Sequence, residues 1–226
     1  MKLFKEWTRF EKILLIGSIL IVSFTGIIFK SDWLTTICSI VGIITALLLA
    51  KGKYLGQIFG LLIVILYSIV SFKNQFYGEV IIYLLIMLPM YIMGIMSWIK
   101  HQDKETNSVE VNKITKKEWL IVALVSIICF AGIYLILKRF NTTQLFISSL
   151  SVLDSLFAIY LQIRRSKYSF YFYVINDLVL ILLWGIPCVT GSVVLIPMLM
   201  NPIINLINDI YGIVNWRKLE NLQGGK

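Results

Sequence analysis

The chain of 226 residues is 58% hydrophobic and only 15% charged, and its mean hydropathy is +0.85. This composition excludes an ordinary soluble globular domain and indicates an integral membrane protein. The net charge of +9 would suggest a nucleic-acid partner for a soluble protein. In a membrane protein the positions of the basic residues are more informative than their sum, so we expect no nucleic-acid partner.

Apolar runs of about 17–25 residues, long enough to cross a bilayer, follow one another along the chain. They predict an all-α fold with eight transmembrane helices, at Ile13 to Phe29, Trp33 to Ala50, Tyr54 to Phe72, Val80 to Ile99, Trp119 to Leu137, Leu145 to Gln162, Tyr168 to Gly185, and Ser192 to Trp216. The first run follows a basic N-terminus, as in a secretory signal peptide. No small-residue cleavage site follows it, so we expect this helix to be retained.

The basic residues are unevenly divided between the two faces of the membrane that eight spans would define. One face receives 17 of the 21 Lys and Arg residues and the other receives 4. Cytoplasmic loops carry the excess of Lys and Arg in membrane proteins. We therefore expect a multi-pass protein of the cell (plasma) membrane with both termini in the cytoplasm.

Residues 100–117, KHQDKETNSVEVNKITKK, are polar and mixed in charge. They predict a cytoplasmic linker with no apolar face to bury. The sequences on either side of the linker resemble each other. Lys53-Tyr54 and Lys167-Tyr168 each open a helix, and the next helix closes on a GxxxW sequence that ends at Trp98 or Trp216.

This internal similarity predicts two parallel three-helix repeats separated by one connecting helix, a 3+1+3 core preceded by an extra helix. Such repeats are related by an axis along the membrane normal, with a substrate site between them. The expected boundaries are an N-terminal helix at 1–30, a first repeat at 31–99, the linker at 100–117, a connecting helix at 118–138, a second repeat at 139–217 and a cytoplasmic tail at 218–226.

The last apolar segment, Pro197 to Trp216, carries four asparagines and an aspartate. An Asp at membrane depth costs about 2.5–3.5 kcal/mol on insertion scales, so such groups face a cavity or another helix. The segment is thus a candidate substrate-facing surface, although its asparagines could equally join helices by hydrogen bonds. We also expect Pro89 to interrupt the fourth helix, and Pro197 and Pro202 to interrupt the eighth.

Motifs of enzymes are missing from the sequence: there is no GxSxG, no HExxH and no phosphate-binding glycine loop. The three cysteines lie within or at the end of apolar runs and have no clustered histidine partners. We therefore predict no enzyme activity, no catalytic residues, no metal and no cofactor. Asp154, Asp177 and Asp209 fall on three different helices and could carry protons in a coupled transporter.

Between Trp33 and Trp216 the chain resembles the PnuC transporters of nicotinamide riboside, which are relatives of the SWEET sugar transporters. The resemblance lies in residues 206–216 (LINDIYGIVNW), 77–79 (YGE) and 89–94 (PMYIMG), together with the 3+1+3 arrangement. It implies uptake of a ribosylated vitamin or nucleoside by facilitated diffusion, with phosphorylation inside the cell trapping the product. The family's WxxWxxxN motif falls here on Ser169, Phe172 and Asn176, so only its asparagine is kept.

The resemblance and the polar stretch together give a set of candidate substrate-binding residues. Amides and carboxylates could pair with ribose hydroxyls, and aromatic rings could stack on a flat base or pyridinium ring. The candidates are Asn176, Asp177, Phe172, Trp184, Asn208, Asp209, Tyr211 and Tyr91.

The expected partners are a small molecule like nicotinamide riboside and the lipid bilayer, and a homo-oligomer stays open. Several alternatives also remain at this point. The substrate could be thiamine, riboflavin or a deoxyribonucleoside, and its transport could be proton-coupled. The protein could also be a membrane scaffold that transports nothing, but a scaffold would have no need for intramembrane polar residues in both halves.

Overall fold

The computed structural model describes residues 7–73, 77–142, 144–191 and 196–224, and in this part of the chain consecutive long helices run in opposite directions. The helices are α1 (Arg9–Ile28), α2 (Trp33–Ala50), α3 (Leu55–Lys73), α4 (Tyr77–Ile82), α5 (Leu88–Lys100), α6 (Lys116–Arg139), α7 (Leu145–Ile163), α8 (Ser169–Val189) and α9 (Ile196–Gly224). Two short strands, β1 (Gln102–Asp103) and β2 (Ser108–Val109), pair antiparallel within the linker.

The described residues contain seven helices that are long and apolar enough to cross a membrane, with Val80–Lys100 counted as one. Helix α9 is not one of the seven, because its asparagines and Asp209 lower its hydropathy. The outer surface of the bundle is apolar, as a lipid-facing surface must be: Ile128 is 74% exposed and Val189 is 89% exposed. The prediction of an all-α integral membrane protein is confirmed.

Helices α1 and α6 begin with the same local sequence device, a capping box. In α1 the Thr8 hydroxyl accepts the Glu11 backbone N–H at 3.2 Å, and the Glu11 carboxylate accepts the Thr8 N–H at 2.6 Å. Thr115 and Glu118 do the same at α6. Each box satisfies backbone donors that the first turn leaves unpaired, which explains why these helices begin where they do.

Three prolines lie within helices. Pro89 is the second residue of α5, just after a π-helical turn, Tyr83–Met87, which joins α4 to α5 in one continuous helix. Pro202 lies inside α9, which continues through it, so the expected interruption is not seen. Helix α8 continues through Pro187 to Val189, beyond its predicted end at Gly185.

Pro197 lies in α9, but residues 192–195 lie outside the described part of the chain, so the expected interruption at Pro197 stays a prediction.

Helix packing joins the two halves of the chain. Helix α9 packs against α8 and also against α2, while α1 lies over α2 and α9, and α6 packs against α7. We call the end of the bundle next to residues 101–115 the linker end, and the opposite end the far end. Helices α2, α5, α7 and α9 all terminate at the linker end.

At the linker end two tryptophans bind the opposite half in matching ways. The Trp98 indole N–H, at the end of α5, donates to the Gln162 carbonyl near the end of α7 at 2.7 Å. The Trp216 indole N–H, in α9, donates to the Leu49 carbonyl near the end of α2 at 3.0 Å. The preceding residue repeats the pattern: the Ser97 hydroxyl donates to the Ile163 carbonyl at 2.8 Å, and the Asn215 amide to the Ala50 carbonyl at 2.9 Å.

The linker differs from its sequence prediction, because it does bury an apolar side chain. Val109 is 1% exposed and packs with Trp98, Trp216 and Phe170 in one cluster. Its backbone N–H donates to the Gly52 carbonyl at 2.9 Å. The linker therefore closes the linker end of the bundle, and the prediction that it had no apolar face to bury was wrong.

The predicted tail also belongs to the fold, since α9 continues to Gly224. Its Gln223 side chain accepts the Val111 backbone N–H at 2.8 Å and donates to the Val109 carbonyl at 3.2 Å. The linker is short and polar, and it holds one conformation because the two segments that pack against it, around Gly52 and Gln223, supply hydrogen bonds to its backbone.

Candidate functional site

A cavity of about 210 Å³, which we call the far cavity, lies between the two halves in the far part of the bundle. Two of its walls are rows of small hydroxyl side chains from α2 and α7: Thr35, Ser39, Ser148, Ser151 and Ser155. Aromatic side chains complete it: Trp184, and Tyr67 and Tyr83, whose rings stack with centroids 4.5 Å apart. The wall thus offers hydroxyl groups and flat rings to one ligand.

A second cavity of about 170 Å³, the linker cavity, lies closer to the linker end. Its wall includes the aromatic side chains of Tyr91, Phe170 and Tyr173 and the carboxyl groups of Asp177 and Asp209. The Tyr173 hydroxyl donates to the Gln162 side chain at 2.5 Å, and this bond joins α8 to α7.

The two cavities meet at a shared layer of five residues. Gly42, Ile63, Asn176, Leu180 and Asn205 line both of them. These residues come from α2, α3, α8 and α9, so both halves of the chain build the layer. A molecule that moved from one cavity to the other would have to pass its two amides.

Asn176 lies near the middle of α8 and is only 6% exposed. Its amide nitrogen donates to the Ser151 backbone carbonyl at 2.7 Å and lies 3.3 Å from the Ser151 hydroxyl. Its oxygen makes no hydrogen bond with the residues that the structure describes. The side chain therefore does both things that a buried amide can do here: one end binds a neighbouring helix and the other end remains available in the cavity wall.

Asp177, on α8, and Asp209, on α9, are two of the acids that the sequence singled out. They are 4% and 5% exposed. The Asp177 Oδ2 atom has no hydrogen-bond partner among the described residues. Since both side chains line the linker cavity, the sequence-predicted pair of acids meets at one place.

The asparagines of α9 divide between the two roles that the sequence left open. Asn201 donates to the Ser39 hydroxyl at 2.7 Å and Asn215 to the Ala50 carbonyl, so both join α9 to α2. Asn205 lines both cavities, and its Oδ1 atom has no partner among the described residues. Asn208 is fully buried and lines neither cavity. Its amide nitrogen and oxygen have no hydrogen-bond partner among the described residues.

Of the other sequence candidates, Tyr91 lies in the linker cavity and Trp184 in the far cavity. The Tyr91 ring lies against Gly60, where an added Cβ atom would be 2.0 Å from it, so only glycine leaves room for the tyrosine. Phe172 lines neither cavity and contacts Trp119 and Phe157, with ring centroids 6.2 and 5.8 Å away.

Tyr211 is placed in an ion-pair cluster at the linker end, outside both cavities. Its hydroxyl donates to the Glu11 carboxylate, which also binds Lys51 at 2.6 Å. The Lys51 ammonium in turn lies 5.1 Å from the centre of the Trp7 ring. Tyr211 therefore ties α9 to the N-terminal helix α1.

Tyr67, Tyr83, Asn201 and Asn205 line the cavities without being among the residues that the sequence singles out for the site. Asn201 and Asn205 lie in the asparagine-rich segment Pro197 to Trp216, so the sequence already marked that segment as a candidate polar surface. Tyr67 and Tyr83 carry no such signal, because an aromatic residue in an apolar helix is most often lipid-facing or core. Among the described residues no group of three or more His, Cys, Asp or Glu could hold a metal ion.

Comparisons with known proteins agree on one family. A family model described as nicotinamide mononucleotide transporter matches residues 32–218. The nicotinamide riboside transporter PnuC of Neisseria mucosa is 27% identical over 229 residues, covering 100% of this chain and 87% of that protein. The PnuC of Haemophilus influenzae is 25% identical over 215 residues, covering 94% and 92%. A crystal structure of the vitamin B3 transporter PnuC superimposes with a TM-score of 0.83 at 26% identity, covering 98% of this chain and 96% of that one.

Proposed function

This chain belongs to the nicotinamide mononucleotide transporter family, a family of membrane transporters and not of enzymes, and we propose that it carries nicotinamide riboside across the cell membrane. The observation that carries the proposal is the pair of cavities that meet at Asn176 and Asn205 in the centre of the bundle. They offer aromatic rings, hydroxyl groups and amides, which suit a flat ring joined to a ribose.

The path of the substrate follows from the order of these cavities. It enters the far cavity, passes the shared layer at Asn176 and Asn205, and reaches the linker cavity beside Tyr91. Between that cavity and the linker end stand the last turns of α5, part of α9 and the linker. Their side chains Trp98, Trp216 and Val109 are fully buried in one cluster. Release at the linker end requires these contacts to loosen.

The proposed architecture has eight spans, with α9 as the eighth. Helix α1 precedes two parallel three-helix repeats, α2 to α5 and α7 to α9, and α6 connects them. The matching bonds of Trp98 and Trp216 support this 3+1+3 arrangement, because each reaches the first helix of the other repeat. With this arrangement the excess of Lys and Arg lies at the linker end, so we place that end and both termini in the cytoplasm.

Transport by facilitated diffusion is the proposed mode, with intracellular phosphorylation trapping the product. One observation favours a second candidate, a proton-coupled transporter of a vitamin or nucleoside. The carboxyl pair of Asp177 and Asp209 lies in the cavity wall, and intramembrane carboxyls are typical proton carriers.

Uptake into proteoliposomes that hold the purified protein tests both candidates. Labelled nicotinamide riboside, thiamine, riboflavin and a deoxyribonucleoside are offered in turn, and empty liposomes serve as the control. We expect nicotinamide riboside to equilibrate without a proton or sodium gradient. Accumulation above the outside concentration after a pH step would support the proton-coupled transporter, and uptake of another compound alone would contradict the proposed substrate.

A further inference from the structure

The wall of the linker cavity contains a carboxyl pair that has no basic partner there. Asp177 and Asp209 both line the cavity, and each is at least nine-tenths buried, at 4% and 5% exposed. Among the described residues, no Lys, Arg or His lines this cavity. Lys51, a buried basic residue at this end of the bundle, is paired with Glu11 at 2.6 Å.

The two carboxyl groups come from neighbouring helices, α8 and α9, and line the same cavity. A carboxylate buried in a membrane-spanning bundle without a counter-charge is costly, and a bound cation would supply that charge. The Asp177 Oδ2 atom, which has no partner in the described part of the chain, is an acceptor in the same wall.

Aromatic rings line the same cavity. The Tyr173 hydroxyl donates to the Gln162 side chain, and the Tyr91 ring packs against Gly60. Phe170 adds a third ring, packed against Trp216 with centroids 5.5 Å apart. Aromatic rings attract cations through their quadrupole, and the attraction increases where water is excluded.

We propose that the Asp177–Asp209 pair makes the linker cavity selective for a flat ring that carries one positive charge. The inference rests on the proposed function, because the nicotinamide ring of nicotinamide riboside is a pyridinium cation. The charged ring would lie beside the carboxyl pair, and the ribose would extend through the shared layer towards the hydroxyl groups of the far cavity. The acids would thus recognise the positive charge of the substrate.

The test compares two forms of one ligand. Nicotinamide riboside is a cation, and its dihydro form has the same skeleton without the charge. Calorimetry on the purified wild-type protein should give at least about tenfold tighter binding of the cation, the scale expected for a desolvated cation beside an aromatic wall and an anion. Equal affinity for the two forms would overturn the inference and leave the proposed function standing. Failure to bind either form would instead overturn the proposed function.

Variants locate the source of the preference. In the double variant Asp177→Asn, Asp209→Asn, the size and shape of the side chains are kept while the acidic groups are lost, so we expect the preference to fall to about twofold or less. Asp154→Asn is the matched control, because Asp154 is also a buried acid, at 7% exposed, but lines neither cavity. A preference that survives in the double variant, or that falls equally in the control, would contradict the proposal. Equal affinity of the wild-type protein for the two forms would overturn the proposal even if the double variant does not fold.

Discussion

The acids and amides that line the cavities all come from the second half of the chain. Asp209 and Tyr91 stand at the same distance before their bonded tryptophans, Trp216 and Trp98. The first is a carboxylic acid and the second is a phenol. Asn205 and Met87 form another such pair, and both line the far cavity. The second half supplies all the acids and amides that line the cavities, while the first half supplies hydroxyl groups, aromatic rings and apolar wall.

Asn176 is the residue whose replacement should separate recognition from packing. Asn176→Leu removes its hydrogen bond to Ser151, and interhelical bonds of this kind contribute about 0.6 kcal/mol on average, so the protein should still fold. Because the free amide oxygen is also lost, we expect binding of nicotinamide riboside to weaken about 10- to 150-fold. Calorimetry on the purified variant measures this.

Asn215→Leu is the control for that experiment. Asn215 donates to a backbone carbonyl at 2.9 Å, as Asn176 does, but lines neither cavity. Its variant should bind nicotinamide riboside with wild-type affinity. Wild-type affinity in a well-folded Asn176→Leu protein would remove Asn176 from the site.

The helices and their order were predictable because each is a long apolar run, and most predicted ends lie within a few residues of the observed ones. The linker was not predictable in this way. Val109 is a single apolar residue in a polar segment, so no periodic pattern marks it as buried. Its burial depends on Trp98 and Trp216, which are distant in sequence.

Replacing Val109 with aspartate should test how firmly the linker closes its end of the bundle. The new carboxylate would be buried in the tryptophan cluster without a basic partner, so we expect a loss of at least about 2 kcal/mol of stability. Thermal unfolding in detergent measures the change. Gln102→Asp adds the same charge at the exposed strand partner of Val109 and should alter stability by less than about 0.5 kcal/mol. Equal losses in the two variants would show that the buried contact is unimportant.

For the whole molecule, composition and the family motifs were enough to predict the membrane class and the transporter family, and both are confirmed. The cavities could not be predicted in the same way, because they depend on which face each helix turns inward. A helix that is apolar all round gives no such direction, and only its few polar residues do. That is why Asn176 and Asp209 were visible in the sequence while Tyr67 and Tyr83 were not.

The orientation of the molecule can be tested at the exposed residue Lys104 in the linker. We expect a Lys104→Cys variant in intact cells to be inaccessible to an impermeant maleimide added outside, since the excess of basic residues indicates a cytoplasmic linker. Labelling should appear after the membrane is opened. The parent protein, with its three native cysteines, reports the background. Labelling in intact cells would reverse the proposed topology.

The low hydropathy of α9 has a consequence for biosynthesis. A segment with several amides and an acid partitions poorly into lipid when it leaves the translocon alone. Helix α9 is made after α2 and α8, and Asn201 and Asn215 bind α2 directly. If α9 is the eighth span, these earlier helices supply the polar contacts that lipid lacks, so a nascent chain without α2 should leave α9 outside the bilayer.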